Sequence, residues 1–230
     1  IIPYFLQNQI EKFSVDEGND GRPASVDMYD LACFDDLEDY EKNRNTIKER
    51  LAPLIRQYLK WVEQKEEESK SLNPLLQENI RKCRRSCERM QEGLDILTNP
   101  TSPDGDKILR AFILANRAMI LQRLHFTYAL NTSKGIKSGP MPDVRTITKE
   151  KHPSWYPFQI TFLLMTIQGL VDKTHEDNET ADLIWFPTGG GKTEAYLGVA
   201  AFTMILRRLK GGEVDGLGVS VIMRYTLRLL

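Results

Sequence analysis

The sequence predicts an α/β chain, helical over residues 36–131 and changing to a strand–loop–helix–strand order near its end. Three observations carry this. Apolar residues recur at helical spacing between residues 36 and 131. A turn-rich stretch at 132–151 then interrupts the pattern. Beyond it come a short apolar run, a glycine-rich loop, a helical pattern and a β-branched run, the order of a parallel βαβ unit.

Composition bounds the possibilities. At about 150 residues per domain, 230 residues make one domain or two small ones. The chain is 41% hydrophobic and 27% charged, which excludes a wholly disordered protein. Fifteen Gly and eleven Pro show no collagen period. Apolar runs reach only four or five residues, against roughly 18 for a bilayer span. Thirty-one Lys and Arg against 32 Asp and Glu argue against a globally basic nucleic-acid coat, but leave room for local basic surfaces. Three Cys form no disulfide framework, which suggests a reducing, cytoplasmic setting. The chain opens Ile1-Ile2-Pro3 and ends at Leu230 within an apolar run, so an N-terminal fragment of a longer protein is expected.

Residues 1–35 carry a turn cluster, Glu17 to Pro23, between two apolar stretches and remain unassigned. Within 36–131, Ile47, Leu51, Leu54, Tyr58 and Val62 mark one helix face, with a break or kink expected near Leu51-Ala52 because Pro53 follows. Pro74 opens a second helix after a capping Asn73. Its Leu76, Ile80, Cys83, Cys87, Met90, Leu94 and Leu97 alternate at steps of four and three, a seam for side-by-side helix packing, and Asn99-Pro100 ends it. A third helix spans about 106–130, with Leu109, Phe112, Met119 and Leu124 apolar. The whole of 36–131 reads as a helical bundle or hairpin, with 132–151 as linker. In 152–230, Phe158 to Val171 is helical and Asp172 to Thr180 a polar loop. Leu183 to Phe186 is a buried strand, Glu194 to Lys210 a helix closed by Gly211-Gly212, and Val219 to Met223 a second strand.

The chemistry concentrates in Pro187-Thr188-Gly189-Gly190-Gly191-Lys192-Thr193. Three glycines let backbone N–H groups turn inward on an anion. The following helix adds its positive end. Lys192 supplies a mobile charge for β- and γ-phosphates, and the Thr193 hydroxyl is a ligand for Mg²⁺. Thr188, Gly189, Gly190, Gly191 and Glu194 complete the expected nucleotide-contacting set. Phe186 stands where the strict pattern has Gly or Ala. Upstream, Trp155-Tyr156-Pro157-Phe158-Gln159 puts an amide beside aromatics, suited to reading and stacking on adenine; the blander alternative is a Gln at a helix start. Downstream, Arg224-Tyr225-Thr226-Leu227-Arg228 follows the second strand, where Arg224, Thr226 and Arg228 are candidate contacts to a polynucleotide backbone, or a cap and solvated charges.

These pieces in this order resemble the start of a superfamily-two helicase. More narrowly, residues 185–198 and 223–230, with Ala111-Phe112, Ala115-Asn116-Arg117-Ala118-Met119 and Gln122, look like the helicase component of the DISARM anti-phage system. The resemblance covers about 110–130 and 155–230. It implies the first part of a RecA-like ATP-binding domain after the helical module, ATP and Mg²⁺ as cofactors, foreign DNA as substrate, and a partner protein of the same system. It also implies that hydrolysis needs regions beyond residue 230, because the acidic Walker B motif and an arginine finger are not in this sequence. Tyr225 before Thr226, and Arg228 two residues after it, depart from the usual helicase motif Ia. A restriction-type translocase, another P-loop ATPase and a helical protein-interaction module are the alternatives.

Other residues read more plainly. Cys83 and Cys87 lie on the apolar seam and act as small hydrophobes, and His125, His152 and His175 lack zinc-ligand spacing. Arg81, Lys82, Arg84 and Arg85 read as a solvated face before a phosphate contact, and Glu63 with Glu66 to Glu68 as a solvated run.

Overall fold

The computed structural model describes residues 25–70, 74–136, 139–141, 143–145, 147–185, 190–212, 214 and 216–224. Their order is β1 (Val26–Asp27), α1 (Met28–Ala32), α2 (Tyr40–Ser69), α3 (Pro74–Thr98), α4 (Gly105–Ser133), β2 (Ser154–Trp155), α5 (Pro157–Val171) and α6 (Lys192–Gly211), with 3₁₀ turns at Lys149–Lys151 and Glu176–Glu179.

Each helix begins and ends for a local reason. The Asp39 carboxylate accepts the Lys42 N–H at the start of α2. Pro74 occupies the first position of α3, where its missing N–H costs nothing. The Gln159 side chain returns to the Tyr156 N–H at the start of α5. Gly212, at a positive φ of 60°, closes α6. The expected break at Pro53 does not occur: α2 runs uninterrupted through it. Leu51 and Ile55, fully buried on either side, hold the helix together across the lost backbone bond.

The helices close around a common core. α3 packs between α2 and α5, α4 lies against α1 and α6, and α5 meets α6. The α3 seam is buried from Ile80 through Cys87, Met90, Leu94 and Leu97, while Leu76 at its start is exposed. α3 and α5 approach so closely that a Cβ on Gly93 would stand 2.1 Å from the Leu164 carbonyl oxygen. Ile108, Leu109, Phe112, Ile113 and Ile120 of α4 join Leu163, Leu164 and Ile167 of α5 and Phe202 of α6 in one cluster of buried side chains. That core is continuous on both sides of the 132–151 stretch.

The sheet differs from expectation. Among the described residues it has two strands, antiparallel, with Val26 opposite Trp155 and Asp27 opposite Ser154. The parallel βαβ pairing is not formed there. Leu183, expected in a buried strand, is 78% exposed; Trp185, Val219 and Ile222 are likewise exposed. The physical reason is that no strand lies beside them among the described residues, and an unpaired strand leaves its backbone N–H and C=O groups unmatched. The segment after α6 is tied down differently, by the Arg207 guanidinium, which donates to the carbonyls of Leu217 and Val219.

Candidate functional site

Gly190 and Gly191 lead directly into α6. Gly191 has φ 84°, in the left-handed region, and a Cβ there would lie 2.6 Å from Gln159 Nε2. The positive φ requires glycine, and a side chain there would also displace the Gln159 amide. Gly191 at the N-cap carries no side chain to cap α6, and a helix N-terminus favours an anion. Lys192 is half-buried and Thr193 exposed in that first turn. Gly191, the Lys192 cation and the Thr193 hydroxyl thus share one helix end, and these residue types fit a magnesium-bound polyphosphate.

Gln159 is 4% exposed, and both ends of its amide are engaged. Oε1 accepts the Tyr156 N–H at 2.8 Å, and Nε2 donates to the Gly191 carbonyl at 2.8 Å. The side chain therefore braces the last residue of the glycine loop against the start of α5. Trp155 is buried, and its Nε1 donates to Asn116 Oδ1 at 2.8 Å. The indole also lies under Gly198 of α6, where a Cβ would be 3.0 Å from the ring. Asn116 donates in turn to the Phe112 carbonyl. One buried network so joins α4, β2 and α6. Tyr156 is half-exposed and lies parallel to Phe158, 6.3 Å between centroids.

Two further braces fix the approach to the loop. Arg89 of α3 is buried and grips Asp182 with both terminal nitrogens, at 2.7 and 2.8 Å. Its Nε lies 3.2 Å from the buried Asp177 carboxylate. These carboxylates raise the guanidinium pKa further, Asp182 most of all. On the opposite side, the His152 ring stacks on Tyr29 at 3.7 Å and its Nδ1 is 2.8 Å from Asp27 Oδ2. That pair fastens β1 to β2.

Between α4, the 147–156 segment and the first turns of α5 and α6 lies an open cavity of about 990 Å³. Gln159, Gly191 and Glu194 form one side of it and α4 the other. Arg123 of α4 reaches across to Glu194, 3.5 Å away.

The fold thus brings together Gln159, Gly190, Gly191, Lys192, Thr193 and Glu194. Thr188 and Gly189 lie outside the described residues, as do Thr226 and Arg228. Arg224 is exposed in the coil following Gly218. Reasoning from the sequence missed Arg89 and Arg123, and gave Asn116 a place in the resemblance without a structural role. Nothing in local spacing distinguishes them from other polar residues on a helix, since each acts through a partner distant in the chain.

The remaining candidates resolve into structure. Cys87 is buried and Cys83 half-buried. Burial pushes the Cys33 thiol up to about 11. The basic cluster is matched by acids: Arg84 grips Glu66, Arg81 pairs with Glu78, and Arg85 with Glu88, Glu92, Glu176 and Asp177. Among the described residues no helix is long and apolar enough to cross a membrane.

No family model matches the chain. It is 31% identical over 234 residues to a protein of Bacillus paralicheniformis named DISARM protein DrmA, across 99% of this chain. The chain spans 20% of the length of that relative. The similarity therefore includes residues 1–100, where the sequence by itself suggested no relationship.

Proposed function

We propose that this chain is the nucleotide-binding part of an ATP-dependent DNA helicase or translocase acting in anti-phage defence. The observation that carries the reading is the Gly190–Thr193 turn, whose left-handed glycine leads into the helix that begins with Lys192 and Thr193. The likeness to a protein named for DISARM supports the defence setting. In this reading the 187–193 loop and the helical residues before it belong to a RecA-like unit. Its parallel sheet would cover the exposed Leu183, Trp185, Val219 and Ile222.

Each group then has a role. Backbone N–H groups of residues 190–193 would hold the phosphates, Lys192 would offset their negative charge, and Thr193 would ligate Mg²⁺. Mg²⁺ held there would supply charge neutralisation for phosphoryl transfer. Gln159 keeps the loop in its cradle shape, and Glu194 sits beside it. Arg224, Thr226 and Arg228 contact the DNA backbone. A second protein of the same defence system is the expected partner, and the cytoplasm the expected location.

The test is DNA-stimulated ATP hydrolysis by the full-length protein. Lys192→Ala should reduce it by about a hundredfold or more, as removal of a transition-state cation does. Turnover in the variant equal to that of the parent would refute the phosphate-binding role.

A further inference from the structure

Resting on the nucleotide reading above, we infer that Arg89 of α3 is a positioning residue for the nucleotide: by holding Asp182 it fixes the segment that enters the glycine loop, and through that loop the phosphates. Asp182 lies five residues before Pro187, where the loop begins. Both terminal nitrogens of Arg89 reach its two carboxylate oxygens, at 2.7 and 2.8 Å. The same guanidinium presents Nε to the buried Asp177 carboxylate, 3.2 Å away. Asp177 is itself clamped. Arg85 lies 3.5 Å from its carboxylate, and α5 passes so near that a Cβ on Gly169 would stand 2.6 Å from its carbonyl oxygen. The fork on Asp182 therefore works from a fixed base. Beyond Asp182, Leu183 and Trp185 are exposed, so neither side chain anchors the segment in the helical core. After the loop, Gln159 holds the Gly191 carbonyl. The stretch between is thus pinned at two points, and α3 supplies the first of them.

Replacing both members of a buried ion pair by apolar side chains of similar volume is often neutral for stability, so holding helices together does not by itself call for one. What the pair adds is direction. Two parallel hydrogen bonds from a planar guanidinium fix a carboxylate in distance and orientation, which neither an apolar contact nor a Lys ammonium does. A binding group displaced by about 1 Å can cost about a hundredfold in rate, so a phosphate loop gains from such precision. The helical region thereby takes part in nucleotide binding without touching the nucleotide.

Asp182→Asn tests this with little disturbance, because it keeps the side-chain shape and leaves Arg89 beside Asp177. Arg89→Lys keeps the charge and loses the fork. Binding of ATP and of inorganic triphosphate is measured by displacement of a fluorescent nucleotide from the full-length protein with Mg²⁺. The number of binding sites per chain, the circular dichroism and the unfolding temperature are measured alongside. The expected result is that Asp182→Asn keeps the parent's circular dichroism and number of sites, yet binds ATP and triphosphate each about tenfold more weakly. Arg89→Lys should show the same loss, and where it does not fold Asp182→Asn decides alone. A merely structural role would lower the unfolding temperature and the number of competent sites, while the remaining sites bind at the parent's affinity. Affinity equal to the parent's in Asp182→Asn, whatever its unfolding temperature, overturns the inference. So does a loss confined to ATP, because the loop holds phosphates and not the base. A parent that binds neither ligand overturns the phosphate-loop reading itself, and this inference with it.

Discussion

At the scale of single residues, Gln159 and Cys33 show how burial assigns a role that residue type alone leaves open. The Gln159 amide has one capable donor and one capable acceptor end, and the fold spends both on backbone groups. Its position before a glycine loop was legible in the sequence; its partners were not, because Gly191 lies more than 30 residues away and arrives through helix packing. Cys33 closes α1 in the left-handed region at φ 41°, and burial favours its neutral thiol. The folded value of about 11 lies above the ordinary 9.0, so the folded state holds this proton more tightly. The associated stability is fully present below pH 9 and is lost as pH rises toward 11. Urea unfolding at pH 8 and pH 10.5 should show the parent losing more stability over that interval than Cys33→Ala. Burial raises the Tyr29, Tyr40 and Tyr58 hydroxyls in both proteins, so their effect cancels in the comparison. Parallel pH profiles would show that this thiol does not contribute.

At the scale of elements, the contact between α3 and α5 depends on a missing side chain. Gly93→Ala gains about 1 kcal/mol of helix propensity. It also drives a methyl group into a backbone carbonyl that cannot yield without moving α5, and overpacking of that kind costs about 1–3 kcal/mol. The substitution should therefore destabilise the chain on balance, with a lower urea midpoint at unchanged slope. A higher midpoint would mean that the two helices separate easily. The Arg89 brace acts between elements too, tying α3 to the loop that precedes the glycine turn. Removing one member of a buried ion pair costs about 3–5 kcal/mol, because the other charge stays buried. Arg89→Ala should fall in that range. A double-mutant cycle with Asp182→Ala should recover part of the loss, since Asp182 is then no longer left unpaired. Strict additivity would show that the two side chains do not interact in solution.

At the scale of the molecule, the question is whether the helical region and the segment bearing the glycine loop fold together. The turn-rich 132–151 stretch suggests a boundary, whereas the buried cluster continues from Val26 to Leu206 across it. Shared burial couples the stability of its parts, so one cooperative transition is expected. Trp155 reports from the junction of α4, β2 and α6, where it is fully buried. With Trp61 and Trp185 replaced by Phe, its fluorescence and the helical circular dichroism should change at the same urea concentration. A fluorescence change that precedes loss of helix would establish two separable units.

What the sequence determined by itself follows from local chemistry. Helix faces at 47–62 and 76–97, the stops at Pro100 and Gly212, and the glycine turn before Lys192 all depend on hydrogen bonds and side chains within a few residues of one another. A spacing pattern records such terms directly. The pairing of Val26 with Trp155, the link from Gln159 to Gly191 and the grip of Arg89 on Asp182 depend on residues 32 to 129 positions apart. Their energies exist only once the helices have packed and excluded water, so no local pattern encodes them. The same reason explains the strands expected at 183–186 and 219–223. Their composition suits a sheet, but a strand is stabilised by neighbours on its hydrogen-bonding edges, and only the tertiary arrangement decides whether those neighbours are in place.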